Sequence, residues 1–519
     1  MPSTSRKKYI IPRPRNLYNF TIALFVAVGS LCYGYASSIS AALIGQASFY
    51  DSMNLVQGTP HTNDILGAIN GVYAAGGAVG CVFNIWSSDH FGRKRSLQLG
   101  CVICLVGAGI MTGSVNISMF IVSRFIIGFG IGVLVTLVPL YQSEVSPPES
   151  RGLMVGLHGV LIGFSYAMTG FVTYGCYFAP YGEFQWRFPL AVQLIPTVIL
   201  LVGSYWLPFS PRWLLSQDRG EEAWEVTWRL HANEKDPGDG YARAEFRQMQ
   251  TQIEAERRMG VTGTLAKVKL GFGQASFRKR LALGFLVQFG NQCTAGALVI
   301  ANYLTQILSR LGITGGTPLL LIGCFNLVTV PGNLCNGLFV DRFGRRNFVL
   351  VGCAGILLCL SGEAAMTARF VETGSGNGVG LGFGVFFIFL QAAFYSSCLD
   401  ATMYLIPSEI FPMVIRGFGV SFSIMAQWIA TAILLTAAPV AFEKIGYKFW
   451  IILICLTVVY AVLVYLYLPE TKELTLEDIS ILFGDPVELS FEQALNDEGK
   501  LGSEVKERPG HVEIVGDKV

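Results

Sequence analysis

Long apolar blocks, each closed by a short polar or charged stretch, fill most of the chain. A helix that crosses a bilayer needs roughly 20 consecutive apolar residues, and block after block reaches that length. The pattern predicts about twelve spans. The first six are Tyr18–Ala42, Ile65–Trp86, Leu97–Gly113, Met119–Tyr141, Leu153–Phe178 and Phe188–Leu207. The second six are Arg280–Leu308, Leu319–Val340, Phe348–Ala368, Val379–Pro407, Val420–Ala441 and Phe449–Leu468. Three stretches lack such a block: an N-terminal tail, residues 1–17, a charged central stretch, 208–278, and a polar C-terminal tail, 469–519. They flank two six-helix units, residues 18–207 and 279–468.

Composition agrees with this division. Of the 519 residues 52% are hydrophobic and 14% charged, where a soluble chain carries about a quarter charged residues. The fold class expected is an all-α polytopic membrane protein. A net charge of +2 gives no reason to expect a nucleic-acid partner. The twelve cysteines fall within apolar blocks and read as small packing residues, and neither they nor the five histidines show the spacing of a metal site. The apolar run after Arg6, Lys7, Lys8, Arg13 and Arg15 is too long for a signal-peptide core and reads as a first span.

Basic residues set the expected sidedness. Arg93, Lys94 and Arg95 share one short loop, and Arg342, Arg345 and Arg346 share another. The stretches Ala47–Asp64 and Ser114–Ser118, on the opposite face, carry no Lys or Arg. The positive-inside bias then places both termini and the central stretch in the cytoplasm. Asn116-Ile-Ser118 is formally a glycosylation sequon, in a very short loop. The central stretch mixes acids and bases and reads as short amphipathic helices on the cytoplasmic face.

The two halves repeat one another. Asp89-x-x-Gly92-Arg93-Lys94 recurs as Asp341-x-x-Gly344-Arg345-Arg346, and Glu144 with Arg151 recurs as Glu409 with Arg416 at the same mutual spacing. Pro208-Phe-Ser-Pro211-Arg212 ends the first half as Pro469-Glu470-Thr471-Lys472 ends the second. Similar offsets for three independent features indicate a duplicated six-span unit, the construction of carriers that rock around a central site.

Pro139, Tyr141, Glu144, Pro147, Arg151 and Gly152 fit P-x-Y-x-x-E-x-x-P-x-x-x-R-G. With the repeated Asp-x-x-Gly-Arg loops, this resembles the sugar porter family of the major facilitator superfamily, over roughly Tyr18 to Asp478. Tyr33-Gly-Tyr35, Leu157-His-Gly159 and Leu399-Asp-Ala-Thr-x-Tyr404 resemble a fungal subgroup of that family. The resemblance implies a major facilitator fold of two pseudo-symmetric six-helix bundles braced by a small cytoplasmic helical domain. It also implies a carrier at the plasma membrane that works as a monomer in the lipid bilayer. Neither a covalent reaction nor a nucleotide-binding loop is expected, so no enzyme activity and no cofactor are assigned.

The loop charges read as a gate. Arg93, Lys94, Arg345 and Arg346 can pair with Asp89, Asp341, Glu144 and Glu409 when one side is closed, and opening must part the pairs. Arg151 and Arg416 complete the repeated set. Arg124, inside a span, calls for a partner. In proton-coupled relatives that partner is a first-span aspartate, and here the matching residue is Ala36. Asp400 on the tenth span and Glu363 on the ninth are the acids that could replace it in coupling to H+, with a packing role the alternative for each.

For the solute, amides and hydroxyls that bind several groups at once and an aromatic face are required. Matching the family's positions, the resemblance implies Gln292, Asn326, Thr329, Ser396, Tyr404, Trp428 and Thr431 as contacts. Gly159 stands where relatives have a glutamine, and Ser396 near the family's acid or amide. Packing between helices is the competing reading for each residue. The expected small-molecule solute is a sugar or related polyhydroxylated compound. Alternatives are another fungal metabolite on the same fold, or a sugar sensor, which the short tail disfavours.

Overall fold

In the computed structural model, the residues described are 17–145, 151–231, 239–258, 263–294, 297–310, 313, 315–371, 378–472, 479 and 482–484. Among them twelve helices are long and apolar enough to cross a membrane. In the first half they are α1, Leu17–Ile44; α2, Pro60–His90; α3, Gly92–Thr112; α4, Ile117–Val145; α5, Leu157–Tyr177; and α6, Phe184–Trp206. In the second half α7 comprises Ala275–Thr294 and Ala297–Arg310. It is followed by α8, Thr317–Val340; α9, Arg345–Phe370; α10, Gly378–Ile410; α11, Arg416–Ile445; and α12, Lys448–Tyr467.

Helix starts follow local chemistry. Thr59 caps α2 by accepting from the Thr62 N–H, with Pro60 in the first turn. The Oδ1 of Asn116 accepts from the Met119 N–H at 2.8 Å, so the sequon asparagine caps α4. Arg187 on α6 donates to the carbonyls of Thr112 and Ser114, closing the far end of α3. Gly344, at φ +88°, turns the chain between α8 and α9 in a conformation that favours glycine.

Packing within a half relies on small residues, because apolar side chains gain little by leaving lipid for protein. At the α2–α4 crossing, Gly76, Gly77 and Gly80 meet Gly128 and Gly132 so closely that a Cβ on Gly132 would lie 2.2 Å from the Gly77 carbonyl oxygen. Asn84 adds a 2.8 Å hydrogen bond to Thr136 across the same crossing. The halves meet chiefly through α2 against α11 and α5 against α8. This exchange of second and fifth helices is what a two-fold relation between repeats requires. Gly170 and Gly323 let α5 and α8 touch there, a Cβ on Gly170 lying 2.7 Å from Gly323 backbone.

Short helices fill much of the central stretch: Pro211–Ser216, Gly220–His231, Gly240–Arg258 and Thr264–Gly273. Trp213, Leu214, Leu215, Ala223 and Met249 form a small core of their own among them. Side chains of these helices reach the first half at Asp89. Trp213 donates its indole N–H to the Asp89 carbonyl at 3.0 Å, and Lys267 pairs with the Asp89 carboxylate at 2.7 Å.

Candidate functional site

A cavity lies between the two halves. From the first half it is lined by Tyr33, Ser37 and Ser38 of α1, Asn70 and Tyr73 of α2, and Ile162 and Tyr166 of α5. From the second come Gln292 and Asn302 of α7, Phe325, Asn326 and Thr329 of α8, Tyr395, Asp400, Met403 and Tyr404 of α10, and Trp428, Thr431 and Leu435 of α11. Spacings of three, four and seven bring each helix's residues onto one face.

Hydrogen bonds fix these walls in place. Gln427, behind the wall on α11, donates to the Tyr404 hydroxyl at 3.1 Å and to the Tyr33 hydroxyl at 3.3 Å, joining the halves. The Trp428 indole meets Tyr33 and Tyr73 edge to face, with centroids 5.9 and 5.4 Å away. Its ring rests on Gly77, where a Cβ would come within 2.4 Å. The glycine crossing of α2 and α4 therefore makes room for the site's tryptophan. Asn326 donates to the Tyr166 carbonyl at 3.3 Å, and Thr329 to the Asn326 carbonyl at 2.6 Å.

Asp400 closes a five-residue π-helical turn, Ser396–Asp400, in the middle of α10. Such turns break helical register and are frequent at functional sites. Asn333 of α8 donates to Asp400 Oδ2 at 2.8 Å. Below it, His158 of α5 stands edge-on to Tyr404, centroids 4.9 Å apart, and shares a 2.7 Å hydrogen bond with Ser30. A Cβ on Gly159 would lie 3.0 Å from Asn333 Oδ1, so a larger side chain there would press on the residue that holds Asp400.

Six of the seven expected solute contacts, Gln292, Asn326, Thr329, Tyr404, Trp428 and Thr431, are brought together on this wall. Ser396 is not among them. Its hydroxyl donates to the Ala392 carbonyl at 2.7 Å and faces Gly332 of α8, so it serves the α8–α10 contact. The Gly332 spot is so tight that an added Cβ would overlap the Ser396 hydroxyl.

The repeated charges form two matching clusters. Arg93 donates from Nε and Nη2 to Glu144 at 2.8–3.1 Å, and from Nη1 to Asp89 at 3.4 Å. Ser210 donates to the same Glu144 at 2.6 Å. In the second half Arg345 donates to Glu409 at 2.8 and 3.2 Å, and Thr471 donates to it at 3.0 Å. The segments that end the two halves thus supply equivalent hydroxyls to equivalent carboxylates. Glu470 accepts the N–H groups of Arg345 and Arg346 at 2.8 and 3.1 Å, capping α9 where its dipole is positive.

Lys94 and Arg346 depart from the expected pairing with acids. One residue along the helix, they point towards neighbouring spans and donate to the carbonyls of Tyr205 and Tyr465. Arg416 is buried, and its Nε donates to the Phe411 carbonyl at 3.3 Å. The side chains of Arg151 and Asp341 lie outside the described residues.

Arg124 is buried on α4, with its guanidinium 4.0 Å from the Tyr73 ring centroid. Its Nη1 donates to the Ala36 carbonyl at 2.8 Å. The backbone of Ala36 thus accepts the bond that an acidic side chain would. Glu363 is buried on α9 away from the cavity, and its Oε2 has no hydrogen-bond partner among the described residues.

Several wall residues escaped the sequence reading: Tyr33, Ser37, Asn70, Tyr73, Tyr166, Asn302, Phe325 and Tyr395. A signal existed. Tyr33 with Ser37, and Asn70 with Tyr73, place polar or aromatic groups three or four apart inside apolar helices, which marks a face turned away from lipid.

A family model described as sugar (and other) transporter matches residues 22–483. The MFS-type transporter criB of Aspergillus cristatus is 31% identical over 465 residues, covering 89% of this chain and 92% of that protein. The quinate permease of Neurospora africana is 31% identical over 502 residues, covering 91% and 90%. Among solved structures, the proton:xylose symporter XylE bound to 6-bromo-6-deoxy-D-glucose superimposes with a TM-score of 0.76 at 22% identity, over 90% of this chain and 99% of that one. Matched from its first span to beyond its last, with the duplicated charge motifs in place, the chain belongs to the sugar porter family of the major facilitator superfamily.

Proposed function

We propose that this transporter moves a sugar or a related polyhydroxylated solute across the plasma membrane by alternating access, with both termini and the central helices in the cytoplasm. The observation that carries the reading is the cavity between the halves, where amides, hydroxyls and aromatic rings from both repeats converge. The Lys and Arg clusters at the motif loops support the sidedness. The Arg93–Glu144 and Arg345–Glu409 clusters act as the cytoplasmic gate, closed in the arrangement described.

Trp428 is the aromatic platform. Trp428→Ala removes the ring that Tyr33 and Tyr73 hold, and the apparent KM for the transported solute is expected to rise about tenfold or more, a loss of about 1.4 kcal/mol of binding. Concentration-dependent uptake by the variant checks this, and an unchanged KM would remove Trp428 from the site.

The test of the reading is uptake of labelled hexoses, pentoses and polyols by yeast lacking its own hexose carriers, with the protein shown at the cell surface. Saturable uptake of one of them supports it, and none from the whole set defeats it. Because Ala36 cannot titrate, uptake is expected to persist when a protonophore collapses the gradient at constant ATP. Abolition would contradict that expectation and make Asp400 the coupling group to test.

A second reading keeps the mechanism and changes the cargo to a ring-bearing fungal metabolite. Five tyrosines and one tryptophan on the wall favour it. Competition of such compounds against labelled sugar separates the two.

A further inference from the structure

The cavity wall is electrically one-sided. Among its described lining residues Asp400 is the single carboxyl group, and none is a lysine, arginine or histidine. Asn333 holds Asp400 by Oδ2, and Oδ1 has no hydrogen-bond partner among the described residues. The same wall carries Tyr33, Tyr73, Tyr166, Tyr395, Tyr404 and Trp428. Ring faces attract cations and give anions nothing. Arg124 does not join the wall. It lies over the Tyr73 ring, with its N–H on the Ala36 carbonyl.

A carboxylate solute entering here would lose its hydration beside a like charge, with no cation in the wall to replace the water. A protonated amine would meet both a carboxylate oxygen and aromatic rings. We propose that this cavity selects its solute by charge, seating an amine or hydroxyl donor on Asp400 Oδ1 and rejecting carboxylate anions. Asp400 is then a specificity-determining residue, and the π-helical turn that ends on it sets its aim. The proposal rests on the reading that the transported solute binds in this cavity.

The test uses the full-length protein in lipid nanodiscs at neutral pH and two matched sets of probes. One is sorbitol, N-methylglucamine and gluconate, and the other is 2-phenylethanol, phenethylamine and phenylacetate. The readout is the probe concentration giving half the maximal shift in unfolding temperature. In at least one set the amine is expected to act at a concentration about tenfold or more below the carboxylate, with the alcohol between them. Asp400→Asn is expected to bring amine and alcohol to similar concentrations, and Asp400→Glu to restore the order. The conservative variant guards against a fold lost with the charge.

A carboxylate that acts as well as its amine overturns the proposal, as does an order unchanged by Asp400→Asn or the absence of any shift from both sets. The first two outcomes leave the carrier reading standing, since saturable sugar uptake is measured separately. Sugar uptake that fails while the amine order holds would defeat the cargo and keep the charge selection.

Discussion

Replacing Gly132 with leucine is expected to remove the folded carrier from detergent extracts, leaving aggregate where the parent gives a single symmetric peak on size-exclusion chromatography. The reason is distance. A Cβ at this position would lie 2.2 Å from the Gly77 carbonyl oxygen and 2.9 Å from the Gly77 Cα, all of it backbone that cannot rotate away. Ordinary overpacking costs about 1–3 kcal/mol, and here the whole helix must move. That movement would carry Gly77 away from the Trp428 ring, so any protein that still folded would have lost its site as well. Gly109→Leu is the control. Nothing lies within 4 Å of a Cβ there, and the peak is expected to keep its position and height.

Removing Glu144 is expected to cut transport by more than an order of magnitude and to destabilise the protein. Its carboxylate is 5% exposed and takes two nitrogens of Arg93, itself 12% exposed, along with the Ser210 hydroxyl. Stripping one partner from a buried ion pair costs about 3–5 kcal/mol, because the remaining charge is left without compensation. The gate reading adds a second consequence. With the pair gone the motif side is no longer held shut, so a cysteine placed at Ser37 of the cavity wall should react faster with a membrane-impermeant thiol reagent applied from that side. Exchanging the charges, Arg93→Glu with Glu144→Arg, is expected to recover part of the stability lost in either single variant. Equal labelling and equal transport in Glu144→Ala would mean the pair only fixes topology.

The twelve spans were legible because length and apolarity leave few alternatives in a bilayer, and the duplication because loop charges must recur wherever the same turn recurs. Boundaries were less so. Arg416 and Arg345 begin helices that the apolar pattern alone starts later, since α9 and α11 extend beyond their apolar stretches into the charged ends. Asn116, part of a sequon in form only, caps α4 with its side chain, a role that depends on backbone direction.

The site was legible in part. Gln292, Asn326, Thr329, Tyr404, Trp428 and Thr431 sit on the wall because helical spacing places them there. Ser396 lies off the wall for a cause that composition does not reveal. The π-helical turn begins at that residue and shifts the register of α10, turning Ser396 to Gly332 and Asp400 to the cavity. The wall tyrosines of α1, α2 and α5 were less legible for another reason: polar neighbours three or four residues away mark a face turned from lipid, and only the packing of other helices tells protein from cavity. Lys94 and Arg346 show the same limit, since only the packing of α6 and α12 offers the carbonyls that receive them.

The measurement that bears most directly on the whole account is counterflow in proteoliposomes containing the purified chain. Vesicles loaded with an unlabelled sugar or polyol should take up the labelled compound faster than empty ones, overshoot, and return to equilibrium, with the overshoot absent in Trp428→Ala. That result is what a cavity opening alternately to each side produces. Labelled solute that equilibrates at the same rate whether or not the vesicles are loaded, or that binds without entering, would contradict it.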